Sequence, residues 1–211
     1  MKTAACAIVA MMTALPAAAQ TESFALRPYG LITYQAFSAK TTFEATFGQS
    51  GEPFWGAGAQ LILPKHIYVD VSASRFKKTG ERATFTDFGV FGTGVSQTIT
   101  ITPFEIAGGY RFQLKGYPGI VPFAGAGVGW YSFTQKSDFS LAGEDVDSNH
   151  VGGLLVGGVE FQVHRWIRLS GDVQYTHIPG IIGVETNAFS TAANEHDLGG
   201  VAARFKFIVG R

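Results

Sequence analysis

The chain has 211 residues, 46% of them hydrophobic and only 15% charged, with formal charges that cancel at neutral pH. No basic block or stripe offers nucleic acid an electrostatic footprint. The single cysteine, Cys6, excludes an internal disulfide framework and a cysteine-ligated zinc.

The start of the chain reads as an export signal. Met1-Lys2 is a short positive start, Thr3 and the residues up to Leu15 form a mostly apolar stretch, and Ala17-Ala18-Ala19 precede Gln20 as a small-residue cleavage site. The stretch is too short for a spanning helix, which needs about 20 apolar residues. Residues 1–19 are therefore expected to be removed, leaving residues 20–211 as one domain without a thiol. No apolar run after Leu15 approaches a helical span.

The remainder of the chain alternates apolar and polar residues with a period of two. Strands one and two are expected near residues 24–39 and 53–63, joined across the long segment 40–51. Pro64-Lys65-His66 turns the chain into strand three, where Ile67, Val69, Val71 and Ala73 face one way and Tyr68, Asp70, Ser72 and Ser74 the other. A long connection over residues 79–96 leads to strand four, which sets Phe104, Ile106, Tyr110 and Phe112 against Glu105, Ala107, Gly109, Arg111 and Gln113. After the short segment 115–119, strand five (residues 120–134) places Ala124, Ala126, Val128 and Trp130 outward and Gly125, Gly127 and Gly129 inward. A long connection over 136–149 precedes strand six, with Val159, Phe161 and Val163 outside and Glu160 and Gln162 inside. His164-Arg165 then gives a short turn into strand seven, where Ile167, Leu169, Gly171, Val173 and Tyr175 oppose Arg168, Ser170, Asp172, Gln174 and Thr176. The long segment 179–196 leads to strand eight, with Val201, Ala203, Phe205, Phe207 and Val209 outside and Arg204 and Lys206 inside.

Eight strands of about 9–11 or more residues, joined by connections that alternate long and short, predict an all-β, eight-stranded antiparallel up-and-down transmembrane β-barrel. Short turns then lie on the periplasmic side and long loops outside. Strands one and four exceed the membrane requirement, so the wall is expected to continue on the loop side. A soluble two-sheet sandwich would also alternate, but not with this ordered rhythm of connections. The 27 glycines fit a narrow barrel, where they make room for large inward side chains.

The two faces define two sets of residues. Asp70, Glu105, Arg111, Glu160, Arg168, Asp172, Arg204 and Lys206 converge on the lumen with roughly balanced signs. An eight-stranded barrel is just wide enough to be filled by side chains or to hold one small ligand, so these charges are expected to pair in a buried plug, with a narrow conduit for ions or small solutes as the alternative. Trp55, Tyr110, Tyr117, Trp130, Trp166 and Tyr175 are expected in the aromatic girdles, Tyr117 and Trp166 at the periplasmic rim.

Three segments resemble the small eight-stranded outer-membrane barrels related to the membrane domain of outer-membrane protein A and to porin-family barrel domains. These are Val121-Pro122-Phe123-Ala124-Gly125-Ala126-Gly127-Val128-Gly129-Trp130, Phe104-Glu105-Ile106-Ala107-Gly108-Gly109-Tyr110-Arg111-Phe112, and Leu155-Val156-Gly157-Gly158-Val159-Glu160-Phe161. The resemblance spans residues 26–210. It implies an outer-membrane location, lipid and lipopolysaccharide as surroundings, and the barrel-insertion machinery as an assembly partner. Many relatives end in an aromatic residue; here Ile208-Val209-Gly210-Arg211 come after Phe207, a departure in that signal. The peptidoglycan-binding domain of some relatives is not expected after strand eight.

Catalysis and cofactors are not expected. The His-x-Ser signature of small barrel deacylases is missing, since His66, His150, His164, His177 and His196 precede Tyr68, Gly152, Trp166, Pro179 and Leu198 by two residues. Glu195-His196-Asp197 would point in alternating directions on an extended chain, a poor metal site, and no phosphate-binding glycine loop with its lysine is present. Phe43, Phe47, Ile181, Ile182 and Phe189 are the apolar loop residues available to a surface partner, lipopolysaccharide or a hydrophobic ligand, or to packing among the loops themselves.

Overall fold

The computed structural model describes residues 24–86, 89–137, 146–179 and 197–210, and their side chains apart from 45–47, 81–95, 137 and 146. The expected signal lies outside the described residues. Eight antiparallel strands close into a barrel in sequence order: β1 (Ala25–Phe37), β2 (Gly51–Ile62), β3 (Ile67–Thr86), β4 (Gly89–Arg111), β5 (Ile120–Ser137), β6 (Val146–His164), β7 (Ile167–His177) and β8 (Gly200–Val209). Closure comes from β1 against β8, with Tyr29 opposite Ile208 and Phe37 opposite Gly200. No described helix is long and apolar enough to cross a membrane; the strands do the crossing.

The faces obey the alternation strand by strand. In β8 every second residue is buried, from Ala202 through Arg204 and Lys206 to Ile208, while Val201, Phe205, Phe207 and Val209 are exposed. The polar row points into the lumen and the apolar row to lipid. Trp55, Tyr110, Tyr117, Trp130, Trp166 and Tyr175 are all exposed. Tyr117 and Trp166 lie in the turns after β4 and β6, and Tyr110 packs edge-on to His66 in the turn after β2.

Three of the expected long loops are structured in whole or in part. Residues 79–86 and 89–96 form no open loop, because β3 and β4 keep pairing until Thr86 meets Gly89, with one irregularity between Glu81 and Ala83. Threonines, valines and phenylalanines at alternate positions suit a strand, and only the glycines suggest a loop. Residues 146–149, at the end of the expected third loop, belong to β6. The first long connection contains a helix, α1 (Lys40–Phe47), which ends at Gly48 with a φ of 74°.

The wall is therefore uneven. β3 to β6 have 18–23 residues, β7, β8, β1 and β2 only 10–13. Along the four tall strands the outward face turns polar above the membrane, and on β3, β4 and β5 the inward face turns apolar. Below, Val71, Phe104, Val128 and Leu155 point outward; above, the outward positions become Arg75, Lys77, Thr100, Thr102, Ser132, Thr134 and Asn149. At the same height the inward positions turn apolar: Phe76, Ile99, Ile101 and Phe133 are all buried. A strand leaving hydrocarbon for water needs this inversion, since its apolar groups no longer have lipid to face outside. The outer part of β4 runs about 14 residues, or roughly 35 Å for a strand tilted by about 40°.

Candidate functional site

Three layers fill the lumen. Nearest the loop end is an apolar cap in which Phe37, Phe43, Phe54, Phe76, Ile101, Tyr131, Phe133, Ile178 and Leu198 pack together. α1 supplies Phe43, whose ring stacks on Phe37 at 3.9 Å. Phe43 is therefore part of the cap and is closed to a surface partner, while Phe47, Ile181, Ile182 and Phe189 have side chains outside the described residues. At the cap edge Lys78 donates to the buried Glu52, an ion pair that also receives Gln49 at 3.2 Å.

The middle layer is a continuous polar network. Arg204 donates from Nε to Asp172 Oδ1 at 2.5 Å and lies 3.4 Å from Glu105 Oε2 through Nη1. Glu105 also accepts from the Tyr131 hydroxyl and from Gln174, both at 2.8 Å. Lys206 reaches Asp70 at 3.1 Å and Asp172 at 3.7 Å, with its ammonium 4.8 Å from the Tyr29 ring centroid. The Tyr29 hydroxyl donates to Asp70 at 2.6 Å. Three carboxylates thus face two cations, and phenolic and amide donors make up the difference.

The tyrosines of this region depend on glycines beside them. A Cβ at Gly125 would lie 2.5 Å from the Tyr68 hydroxyl, and one at Gly129 would lie 2.6 Å from that of Tyr131; a Cβ at Gly58 would collide with the Tyr29 hydroxyl. The inward glycines are sockets, as the sequence suggests.

Between cap and network remains a cavity of about 40 Å³, lined by Leu31, Phe54, Ile101, Glu105, Tyr131 and Arg204 among others. That admits a few waters at most.

The third layer, toward the short turns, is basic. Arg111, Arg27 and Arg168 approach the same oxygen of Glu160 at 2.5, 3.6 and 3.9 Å, and Arg168 also donates to Gln162 at 2.8 Å. Glu160 is completely buried behind them.

All eight lumen residues expected from sequence are brought inside, but into two groups: Asp70, Glu105, Asp172, Arg204 and Lys206 in the middle, and Arg111, Glu160 and Arg168 below. The residues missed are Arg27, Tyr29, Glu52, Lys78 and Tyr131, while Gln174, read as inward, is found there. Arg27 and Tyr29 share the parity of Leu31 and Thr33, so the signal lies in β1 itself, masked there by the consecutive apolar pair Leu31-Ile32.

At the loop end His177 and Asp197 pair at 2.8 Å, outside the lumen. Asp197 also accepts from the backbone N–H of Ile178 and of Gly199, both at 2.8 Å. Burial pushes this carboxyl up, but those hydrogen bonds and His177 outweigh it and hold Asp197 below the ordinary carboxylate value. Glu195 and His196 lie outside the described residues, and no cluster of three or more metal-ligating side chains occurs among those described.

The family model of the outer membrane protein beta-barrel domain matches residues 7–196. Among solved structures, the chain is similar to the outer membrane protein OprG from Pseudomonas aeruginosa, with 14% identity and a TM-score of 0.52 over 91% of this chain and 97% of that one. It is also similar to a major outer membrane protein from Thermus thermophilus, at 8% identity and a TM-score of 0.53 over 88% of this chain and 99% of that one. No curated protein sequence matches it. The closed eight-stranded barrel and the family match together place the protein in the outer membrane, and the chain belongs to the outer-membrane β-barrel domain family.

Proposed function

We propose that this is a non-conducting, non-enzymatic barrel with a structural or surface-interaction role, exported by a signal over residues 1–19 that is then removed, and inserted by the barrel-assembly machinery among lipid and lipopolysaccharide. The observation that carries this reading is the filled lumen: cap and network together leave a cavity of only about 40 Å³ between them. On this reading the barrel's exposed asset is the wall raised by β3 to β6, polar at its described outward positions and held by strand pairing. Rigid scaffolds that present an outer surface suit contact with other surfaces. The His177–Asp197 pair has no serine among its described partners, which supports a capping role for it.

The test shortens the wall. Replacing residues 80–97 by an Asn-Gly turn between the paired Thr79 and Thr98 keeps every membrane strand paired. The variant should still shift on a denaturing gel with boiling, and cells carrying it should lose adhesion or autoaggregation while small-solute uptake stays unchanged. Unchanged surface behaviour together with altered solute uptake would overturn the reading in favour of a narrow channel.

A further inference from the structure

The basic layer opens onto a chamber that the surface role does not use. At the periplasmic mouth lies a cavity of about 470 Å³, more than ten times the volume of the cavity in the middle of the lumen. Its wall includes Arg27, Lys65, His66, Arg111 and Arg168, and no acidic residue among those described lines it. Glu160, the carboxylate that the arginines share, stands behind them and does not face the chamber. Arg111 and Arg168 alone outnumber that one carboxylate, and Arg27 and Lys65 raise the positive balance of the wall further.

Surplus charge of one sign in a plug is costly, and a plug needs none of it. Arg111 is only 7% exposed and shares the Glu160 carboxylate with Arg168. The rim is arranged at some expense too. Lys65 and His66 hold φ values of 61° and 66°, a left-handed pair that turns of this kind normally give to asparagine and glycine. The sequence instead has two side chains able to carry positive charge there.

We propose that this periplasmic vestibule binds a dianionic phosphate group, delivered either by a soluble phosphate ester or by the headgroup of a lipid in the inner leaflet. Guanidinium forks match phosphate oxygens in geometry as well as charge, and Arg111 and Arg168 converge in a partly enclosed chamber on a single shared carboxylate. A dianion offsets the surplus of the arginine layer, and Lys65 closes the site from the rim. The site is separate from the proposed surface role, because it lies at the opposite end of the barrel from the wall.

The test is titration calorimetry on the mature barrel in a phosphate-free, neutral detergent at low ionic strength, with phenyl phosphate in one arm and monomeric short-chain phosphatidic acid in the other. Binding of phenyl phosphate with one site per barrel is expected if the source is soluble; binding of phosphatidic acid alone assigns the site to a lipid headgroup. Arg168→Gln should weaken binding at least tenfold and Glu160→Gln should tighten it several-fold, whereas the outward Lys77→Gln should leave it unchanged. Opposite signs for the two lumen variants are what a merely structural role cannot give. If either lumen variant fails to fold, Lys65→Gln on the rim replaces it and should weaken binding about threefold. No binding in either arm, or equal weakening by Lys77→Gln and Arg168→Gln, overturns the proposal.

Discussion

Replacing Arg204 by methionine is the sharpest probe of the lumen. Arg204 is buried, and its guanidinium pairs with Asp172, whose side chain is wholly buried, and with Glu105. Methionine keeps much of the volume and removes only the charge and the donors. Asp70, Glu105 and Asp172 then face Lys206 alone, which stands 3.7 Å from Asp172. Breaking a buried pair in this way costs about 3–5 kcal/mol, because a carboxylate is left behind without its cation. The assay is urea unfolding of the barrel in lipid vesicles, monitored by the fluorescence of Trp55, Trp130 and Trp166, which all face outward. Asp172→Asn in the Arg204→Met background should recover about 1–3 kcal/mol of the loss, since it removes the orphaned charge. Lys77→Met, at an exposed outward position, should change stability by no more than about 0.5 kcal/mol. A loss below about 1 kcal/mol for Arg204→Met, with no coupling to Asp172, would refute the charged plug.

The sockets and the loop end give further tests by the same unfolding assay and by exchange. Gly125→Val drives a side chain into the Tyr68 hydroxyl and should cost about 1–3 kcal/mol, whereas Gly30→Ala, which meets nothing within 4 Å, should be close to neutral. Tyr131→Phe deletes a donor to Glu105 and should cost about 1.5–3 kcal/mol, and an unchanged midpoint would mean that Gln174 and Arg204 satisfy Glu105 alone. Because the Asp197 carboxyl is held below its ordinary value, its contribution is complete above about pH 4 and is lost as pH falls through the lowered value. Amide exchange at Ile178 and Gly199, normalised for intrinsic rates, should therefore accelerate only in that acid window, and Asp197→Asn should abolish the pH dependence.

The membrane part of the fold is legible because lipid enforces the pattern: each outward residue must be apolar and the inward ones are free to be polar, so β7 and β8 can be read residue by residue. Legibility fails where the solvent changes. Above the membrane Phe76, Ile99 and Phe133 turn inward and threonines turn outward, so a rule that sends apolar residues to lipid misreads residues 79–86 and 89–96 as loop when they are paired strand. The helix at Lys40–Phe47 is hidden by two threonines and a phenylalanine of low helix propensity at its start, and tertiary packing of Phe43 against Phe37 decides it. In the lumen, sequence gives the parity of each charge but not its height. Arg204 meets Glu105 across 99 positions of chain, a proximity set by barrel closure and register, and the division into a middle network and a basic vestibule comes from those alone.

Single-channel recording of the refolded mature barrel in a planar lipid bilayer, with insertion verified by the heat-dependent gel shift, addresses the filled lumen most directly. A silent bilayer under an applied potential is the expected result, for the wild-type barrel and for Lys77→Met alike. Discrete, reproducible openings of the wild-type barrel would contradict it, and would turn Glu105, Arg204 and the arginine layer into the walls of a conduit.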